Sequence, residues 1–584
     1  MKNFFVKYKW LLLVCFVFSL FFMYPYLISN KLNLEHDTFF HLSRIEGYAR
    51  SLLDGQLLPR IYPYKNAGAG YGSPLFYCDI LLFVPAVLYN LGLSLSGSYK
   101  FLLFLCSFFS AWTMAICAQK ISKSSKVAIL AAFLYLFSTY RITDVYVRGA
   151  IGEVMAFIFL PLVIQGIWSL LHEEKNSLAL LTFSFSGLIL THNIAFLLGC
   201  FLFAGYLLVY YKTILTQRHK LMIILKAVGL VLALTAFFTL PMLEQMMDHT
   251  MIVHYYHSSS NLANTALTAW QFFINKLIFG FAGNTGSPES LMVTNTGWFL
   301  TFVPLALFFV TNKEKTQSRK FIMTTMGLGY FFLFLCSGTI PWNALGFLGV
   351  IQFPWRFMII ATALLSIPAA CALFDLFGHH RQILALSLGL CIVNSIWLLQ
   401  PVFSRTFTIT NQTAYTDILD GTVIDPYYSA SYMRVELAGG DYLPWPSIDY
   451  REYENLCILS MERTSLTCDI QRFSTNTLFN LPHDDIQVLV PLTWYKGYQV
   501  YGRDIYGNKT PLSTYLNPDT GLVSFRTDAQ FDNYLVAYDG TTIQTLSLLF
   551  SSITLIALIF RKNIIIAFEF IIEKKNQMQI KKGQ

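Results

Sequence analysis

Apolar runs of roughly twenty residues, separated by short polar loops, recur along most of this chain. They cover about 10–28, 75–92, 99–118, 126–140, 152–171, 177–191, 194–211, 221–243, 297–311, 319–337, 357–376, 382–399 and 543–560. A helix needs about 20 apolar residues to cross a hydrocarbon core about 30 Å thick, so each run predicts a candidate membrane-spanning helix. The first run is too long for a signal-peptide core and ends at Ser29-Asn30-Lys31 without a small-x-small cleavage site, so it is read as retained. Between the last two runs the pattern changes. Residues 400–542 are polar and turn-rich, with short alternating stretches such as Ile486–Val490 and Leu522–Phe525. Turn signals at Gly439-Gly440, Asn517-Pro518, Asp519-Thr520-Gly521 and Asp539-Gly540 punctuate them, which predicts an all-β, sandwich-like domain.

Charge placement decides which runs cross. Lys and Arg concentrate in loops that stay in the cytoplasm, so Lys2, Lys7 and Lys9 put the N-terminus there and residues 29–74 outside. If 75–92 crossed, the loop with Lys120, Lys123 and Lys126 would fall outside, and every later basic loop would be misplaced too. If 75–92 instead lies in the outer interface or re-enters, these lysines fall inside. So do Lys175, Lys212/Arg218/Lys220, Lys313/Lys315/Arg319/Lys320, Arg381 and the tail with Arg561, Lys562, Lys574, Lys575, Lys581 and Lys582. The expected fold is therefore a polytopic α-helical membrane protein of about twelve spans with both termini cytoplasmic. A transmembrane module fills 1–399, with outer loops at 29–98 and 244–296. An extracytoplasmic β-rich domain follows at 400–542, then a last helix at 543–560 and a basic tail at 561–584.

Composition agrees with this and narrows the function classes. The chain is 55% hydrophobic and 13% charged, about half the charge of a soluble domain. That excludes a soluble enzyme, a disordered chain and an outer-membrane barrel with short alternating strands. The net charge of +8 lies in loops rather than on one basic face, so no nucleic-acid partner is expected. The ten cysteines contain no paired CxxC, which argues against zinc. Cys457 and Cys468 share a polar segment across Met461–Thr464, where a disulfide is open either way.

Charges at midspan mark ion or proton pathways because they are costly there. Here Lys226, Glu244 and Asp375 sit near span ends, which argues against a proton-coupled transporter. The ionisable residues collect in the outer loops instead. In the first, Asp37, His41, Arg44 and Tyr48 share one helical face, while Leu42, Ile45, Ala49 and Leu52 form an apolar one. Such a stripe can hold a proton, a metal or a phosphate; the plainer account makes Asp37 a helix N-cap and the helix an amphipathic, interfacial one. The second loop carries Arg141, Asp144, Arg148 and Glu153, and arginines outside need compensation. Glu153 fits a positive helix end; a sharper account pairs Asp37 with Glu153 or Asp144 around a substrate hydroxyl while Arg148 holds a phosphate. Thr191-His192-Asn193 offers a cap or a ligand, and Phe353-Pro354-Trp355-Arg356-Phe357 sets a guanidinium among aromatics. Asp441-Tyr442-Leu443-Pro444-Trp445-Pro446 offers an acid and an aromatic platform, with Trp445 the candidate sugar contact. The histidines at 249, 254 and 257 lack an ordered ligand spacing.

These motifs together resemble the GT-C superfamily of membrane glycosyltransferases, and within it the bacterial YfhO-like, "6-pyruvoyl-tetrahydropterin synthase-related" membrane proteins. The resemblance rests on His36-Asp37, His41-Leu42, Arg44, Tyr146-Val-Arg148-Gly-Ala with Glu153, Thr191-His192-Asn193, Phe353–Phe357 and Tyr442-Leu443-Pro444. Leu492–Tyr501 followed by Gly521-Leu-Val looks like the outer β domain of that family. It implies a sugar donor linked to a polyprenyl phosphate, used at the outer face of the bacterial plasma membrane. The acceptor would be a cell-wall polysaccharide, a teichoic acid or a glycolipid. It implies that Asp37 is a general base or a ligand to a divalent cation; Glu153 is the second catalytic candidate on the reading of the second outer loop alone. His41, Arg44, Asp144, Arg148, His192, Arg356 and Trp445 would bind substrate. No Asp-x-Asp or Asp-x-Glu stands in the second outer loop, so the cation is left open. The resemblance also implies inversion, and no close carboxylate pair of the kind used for retention is visible. Two rival functions are a lipid-linked sugar flippase or exporter, which needs a polar path through the spans, and a non-catalytic scaffold that binds cell-wall polymer.

Overall fold

The computed structural model describes residues 2–560 apart from 30, 34–35, 67, 254–258, 284–290, 310–316, 378–380, 404–407, 411–439, 447–457, 462–464, 467–468 and 482–484. Cys457, Cys468, His254, His257 and the basic tail lie outside the described residues. The protein is a polytopic helical membrane protein with a β-rich region before its last helix. Among the described residues eight helices are long and apolar enough to cross a membrane, or nine if the pair Ser125–Leu136 and Thr139–Arg148, bent by 43°, forms one span. This is fewer than the twelve expected, for a local reason in each case. The runs at 177–191 and 297–311 form only the shorter helices Ser177–Ile189 and Trp298–Phe308. The helix Gln317–Leu335 carries Arg319 and Lys320 in its first turn, which dilutes its apolar stretch.

The run at 75–92 does not form one long helix. It divides into Ser73–Phe76 and Ile80–Asn90, with Asp79 buried at the break. Neither piece has the length of a span. What breaks the run is therefore a carboxylate, and its partner is described below.

Among the described residues the β region has two five-stranded antiparallel sheets. One runs Thr514–Leu516, Leu522–Arg526, Gln487–Thr493, Ile458–Ser460, Ser465–Leu466; the other runs Ile470–Phe473, Asn476–Asn480, Asn533–Tyr538, Tyr498–Arg503, Lys509–Leu512. Val488, Val490, Val523 and Phe525 from the first meet Phe479, Val500, Tyr534 and Val536 from the second in one core, as a sandwich requires. Tyr498–Arg503 alternates buried and half-buried positions, but Gln487–Thr493 is buried on both faces. The reason is that Ala69 of the first loop packs on Leu459, Leu489 and Leu522. Thr493 N–H donates to Ala69 O at 2.8 Å, and Asn66 Nδ2 donates to Thr493 Oγ1 at 2.9 Å. The sandwich is thereby seated on the loop that carries Asp37.

Candidate active site

Asp37 precedes the first turn of helix Thr38–Leu53, yet its carboxylate caps no backbone N–H. Among the described residues that side chain makes no hydrogen bond or ion pair. Only its backbone is held: Asp37 N–H donates to Arg148 O at 2.9 Å, and Asp37 O accepts from His41 N–H at 3.1 Å. Burial pushes its pKa up, the Arg148 and Arg356 guanidiniums pull it back, and the Glu153 charge raises it again. The plainer account of Asp37 as a capping side chain is thus not what the geometry gives.

The helix does not keep one wet face either. Its polar face is as buried as its apolar one: His41, Arg44 and Tyr48 are enclosed along with Leu42, Ile45 and Ala49. Arg44 explains how a guanidinium tolerates this. Its Nε donates to Asp79 Oδ1 at 2.9 Å, and its plane lies 4.0 Å from the Tyr77 ring. Tyr62 Oη donates to the second Asp79 oxygen. Arg44 is 1% exposed and does not line the cavity, so the expectation of a direct substrate contact is corrected to support of the wall. Its Nη1 lies 3.0 Å from His41 Nδ1. Burial, and then the Arg44 charge, hold His41 well below the usual histidine pKa, so the ring is neutral.

The second loop answers why its arginines are tolerated. Glu153 Oε1 accepts from Arg148 Nη2 at 2.9 Å and from Arg356 Nε at 3.0 Å, while Oε2 accepts from Tyr140 Oη at 2.7 Å. Arg148 Nη1 is bound to Asp144. Two guanidiniums and two carboxylates therefore neutralise one another. The expectation that Asp144 or Glu153 would face Asp37 across a hydroxyl is corrected, because both acids are taken by arginines. Asp144 is fully buried beneath the cavity rather than on its wall. Arg148 also stacks its guanidinium 4.6 Å from the Trp355 ring. Arg356 Nη1 donates to Ile351 O at 3.1 Å and is bound to Gln352, which leaves Nη2 with no hydrogen bond among the described residues.

Two glycines let these pieces approach. Gly149 has φ +63° and lies against Thr38, where a Cβ would collide with the threonine hydroxyl. A Cβ on Gly152 would collide with Tyr77 Oη and meet His192 Cδ2 at 2.9 Å. His192 caps the helix Asn193–Thr216: its Nδ1 accepts from Ala195 N–H at 3.1 Å. An accepting Nδ1 carries no proton, so the neutral ring keeps its proton on Nε2. Burial foremost, with the nearby Arg356, lowers the His192 pKa to about 3, which keeps that tautomer at neutral pH.

A cavity of about 520 Å³ gathers six of the nine sequence-derived site residues: Asp37, His41, Arg148, Glu153, His192 and Arg356. Arg44, Asp144 and Trp445 do not line it. Trp445 is 44% exposed, and its neighbours take the wall position instead. Val253 N–H donates to Asp441 O at 2.8 Å and Ile252 N–H to Leu443 O at 2.9 Å, a pairing that turns Asp441 and Tyr442 to the cavity. Tyr442 stacks on Phe76 with centroids 5.3 Å apart and planes 1° from parallel. Asp79, Tyr140 and Tyr77 were not singled out from sequence; a carboxylate interrupting an apolar run was the one signal that pointed to Asp79. His249, one of the three clustered histidines, is taken up by Asp248 at 3.2 Å. Among the described residues no group of three His, Cys, Asp or Glu side chains is arranged to hold a metal ion. Glu153, with both oxygens spent on Arg and Tyr donors, does not fit the role of a ligand.

A family model described as "6-pyruvoyl-tetrahydropterin synthase related domain; membrane protein" matches residues 75–402. That stretch holds Asp79, Arg148, Glu153, His192 and Arg356, and leaves Asp37 and Asp441 on either side of it. An uncharacterized protein of Lactococcus lactis subsp. cremoris (strain MG1363) is 25% identical over 235 residues. The aligned part is 38% of this chain and 38% of that protein, so the match spans well under half of the relative's length.

Proposed function

We propose that this chain, which belongs to the 6-pyruvoyl-tetrahydropterin synthase-related membrane protein family, is a membrane glycosyltransferase. In this reading it moves a sugar from a polyprenyl-phosphate carrier to a cell-envelope acceptor at the outer face of the bacterial plasma membrane. The observation that carries it is the half-buried Asp37 carboxylate, which has no hydrogen-bond or ion-pair partner among the described residues and shares one cavity with two guanidiniums. A carboxylate that spends none of its acceptor capacity on neighbouring side chains has that capacity to offer a substrate hydroxyl.

The reaction is a single displacement. Asp37 takes the proton of the acceptor hydroxyl, worth roughly 10²–10⁴-fold in rate, as the hydroxyl oxygen bonds to the anomeric carbon. The bond from that carbon to the phosphate oxygen breaks, its electron pair stays on the phosphate, and the carrier leaves unprotonated with the anomeric centre inverted. The Arg356 Nη2 and His192 Nε2 protons are donors suited to the phosphate oxygens, and the buried Glu153 keeps Arg148 and Arg356 in place.

Proteoliposomes with a labelled polyprenyl-phosphate sugar and envelope acceptors test this reading. Label leaving the carrier for the acceptor supports it. Label crossing the bilayer with its phosphate bond intact indicates a flippase, and acceptor binding without either event indicates a scaffold.

A further inference from the structure

Asp441 stands outside the reaction just described, yet it shares the cavity with Asp37. Its side chain makes no hydrogen bond or ion pair among the described residues. Asp441 lines the cavity as an exposed residue, open to an entering ligand. The segment that carries it is held from three sides. Tyr495 Oη of the sandwich donates to Tyr442 O at 2.9 Å, and Tyr442 N–H donates to Tyr71 Oη of the first loop at 3.3 Å. Trp445 N–H donates to Thr250 O at 2.9 Å. A wall fixed this firmly beside an unbonded carboxylate is preorganised for a ligand that brings its own donors.

We infer that Asp441 determines specificity by accepting hydrogen bonds from hydroxyls of the transferred sugar, with Tyr442 as the adjoining aromatic wall. The inventory of groups without a partner among the described residues supports this. Asp37 and Asp441 only accept, whereas His192 Nε2 and Arg356 Nη2 only donate. A polyol offers both, since each hydroxyl donates once and accepts besides. A uronic acid or a phosphorylated sugar would set its anion against Asp441, so the fitting sugar is neutral or an amino sugar. This inference rests on the glycosyltransferase reading for the identity of its ligand, but its test is one of binding.

The affinity of the purified full chain for bare polyprenyl phosphate is compared with that for polyprenyl-phosphate glucose, galactose and N-acetylglucosamine. Wild type is expected to bind at least one sugar-bearing carrier about tenfold tighter than the bare one. Asp441→Ala, which leaves no side-chain acceptor, should lose that increment and keep the bare-carrier affinity, which doubles as the folding control; Asp441→Leu gives the same comparison if the Ala variant loses both. Absence of any increment in wild type, or its survival in a folded Asp441 variant, overturns the inference. An increment that depends on Asp441 in a protein that transfers no sugar would sustain it while the transferase reading falls.

Discussion

Arg356 and Glu153, 203 positions apart in the chain, are joined by a 3.0 Å bond from Nε to Oε1. The same oxygen accepts from Arg148, so one buried carboxylate holds two guanidiniums on the cavity wall. Glu153 is 3% exposed. Removing one partner of a buried ion pair costs about 3–5 kcal/mol, because the charge left behind has no solvent. Glu153→Gln is therefore expected to lower the thermal midpoint of the detergent-solubilised protein by several degrees and to weaken activity with it. A midpoint unchanged from wild type would mean that the network carries no stability.

The close approach of the first two loops depends on glycine. At Gly149 the left-handed backbone costs roughly 1–2 kcal/mol for any other residue, and the added Cβ meets Thr38. Gly152→Ala keeps ordinary helical backbone but drives Tyr77 and His192 from their places. Both substitutions should reduce sugar transfer at least tenfold, and Gly149→Ala should also lower the thermal midpoint. Wild-type rates in Gly152→Ala would remove Tyr77 and His192 from the site.

Titration gives a separate prediction. Burial raises the Asp37 pKa, so its protonated form persists to higher pH than in a free aspartate, near 3.9. The base form is the active one, so kcat/KM should fall as pH drops through that raised pKa, with a midpoint above the ordinary carboxylate range. Asp37→Glu should keep part of the activity and move the limb. A profile flat down to about pH 4 would show that Asp37 is not the titrating base.

Membrane orientation is open to labelling. A thiol introduced at Ser122, in the loop with Lys120 and Lys123, should stay shielded from an impermeant reagent in intact cells. One replacing Tyr506, which is 84% exposed in the β sandwich, should react. The reverse pattern would turn the cavity to the cytoplasm and defeat an outer-face reaction.

Much of this molecule was legible in its residues. Apolar periods located the helices, and the run at 75–92, set apart from the spans on length and loop charge, forms two short helices around Asp79. Turn signals and alternation located the strands around Val488 and Val523. The convergence of Asp37, Arg148, His192 and Arg356 also followed from asking which costly residues sit between apolar runs. What stayed hidden is pairing. Nothing in the spacing says that Arg44 chooses Asp79 over the cavity, or that Glu153 is consumed by two arginines. Likewise the irregular backbone at 440–446 turns Asp441 and Tyr442 to the cavity and Trp445 away from it, since its direction is set by pairing with Thr250–Val253. Short helices such as Ser177–Ile189 read as spans because hydropathy does not register where a helix stops.

The most direct measurement compares sugar transfer and thermal midpoint in Asp37→Asn. Among the described residues the side chain forms no bond that the substitution could break, so the midpoint should equal wild type or rise slightly. Transfer from a polyprenyl-phosphate sugar should fall at least 100-fold, as the loss of a general base requires. Full transfer by a folded Asp37→Asn protein would contradict the account at its centre.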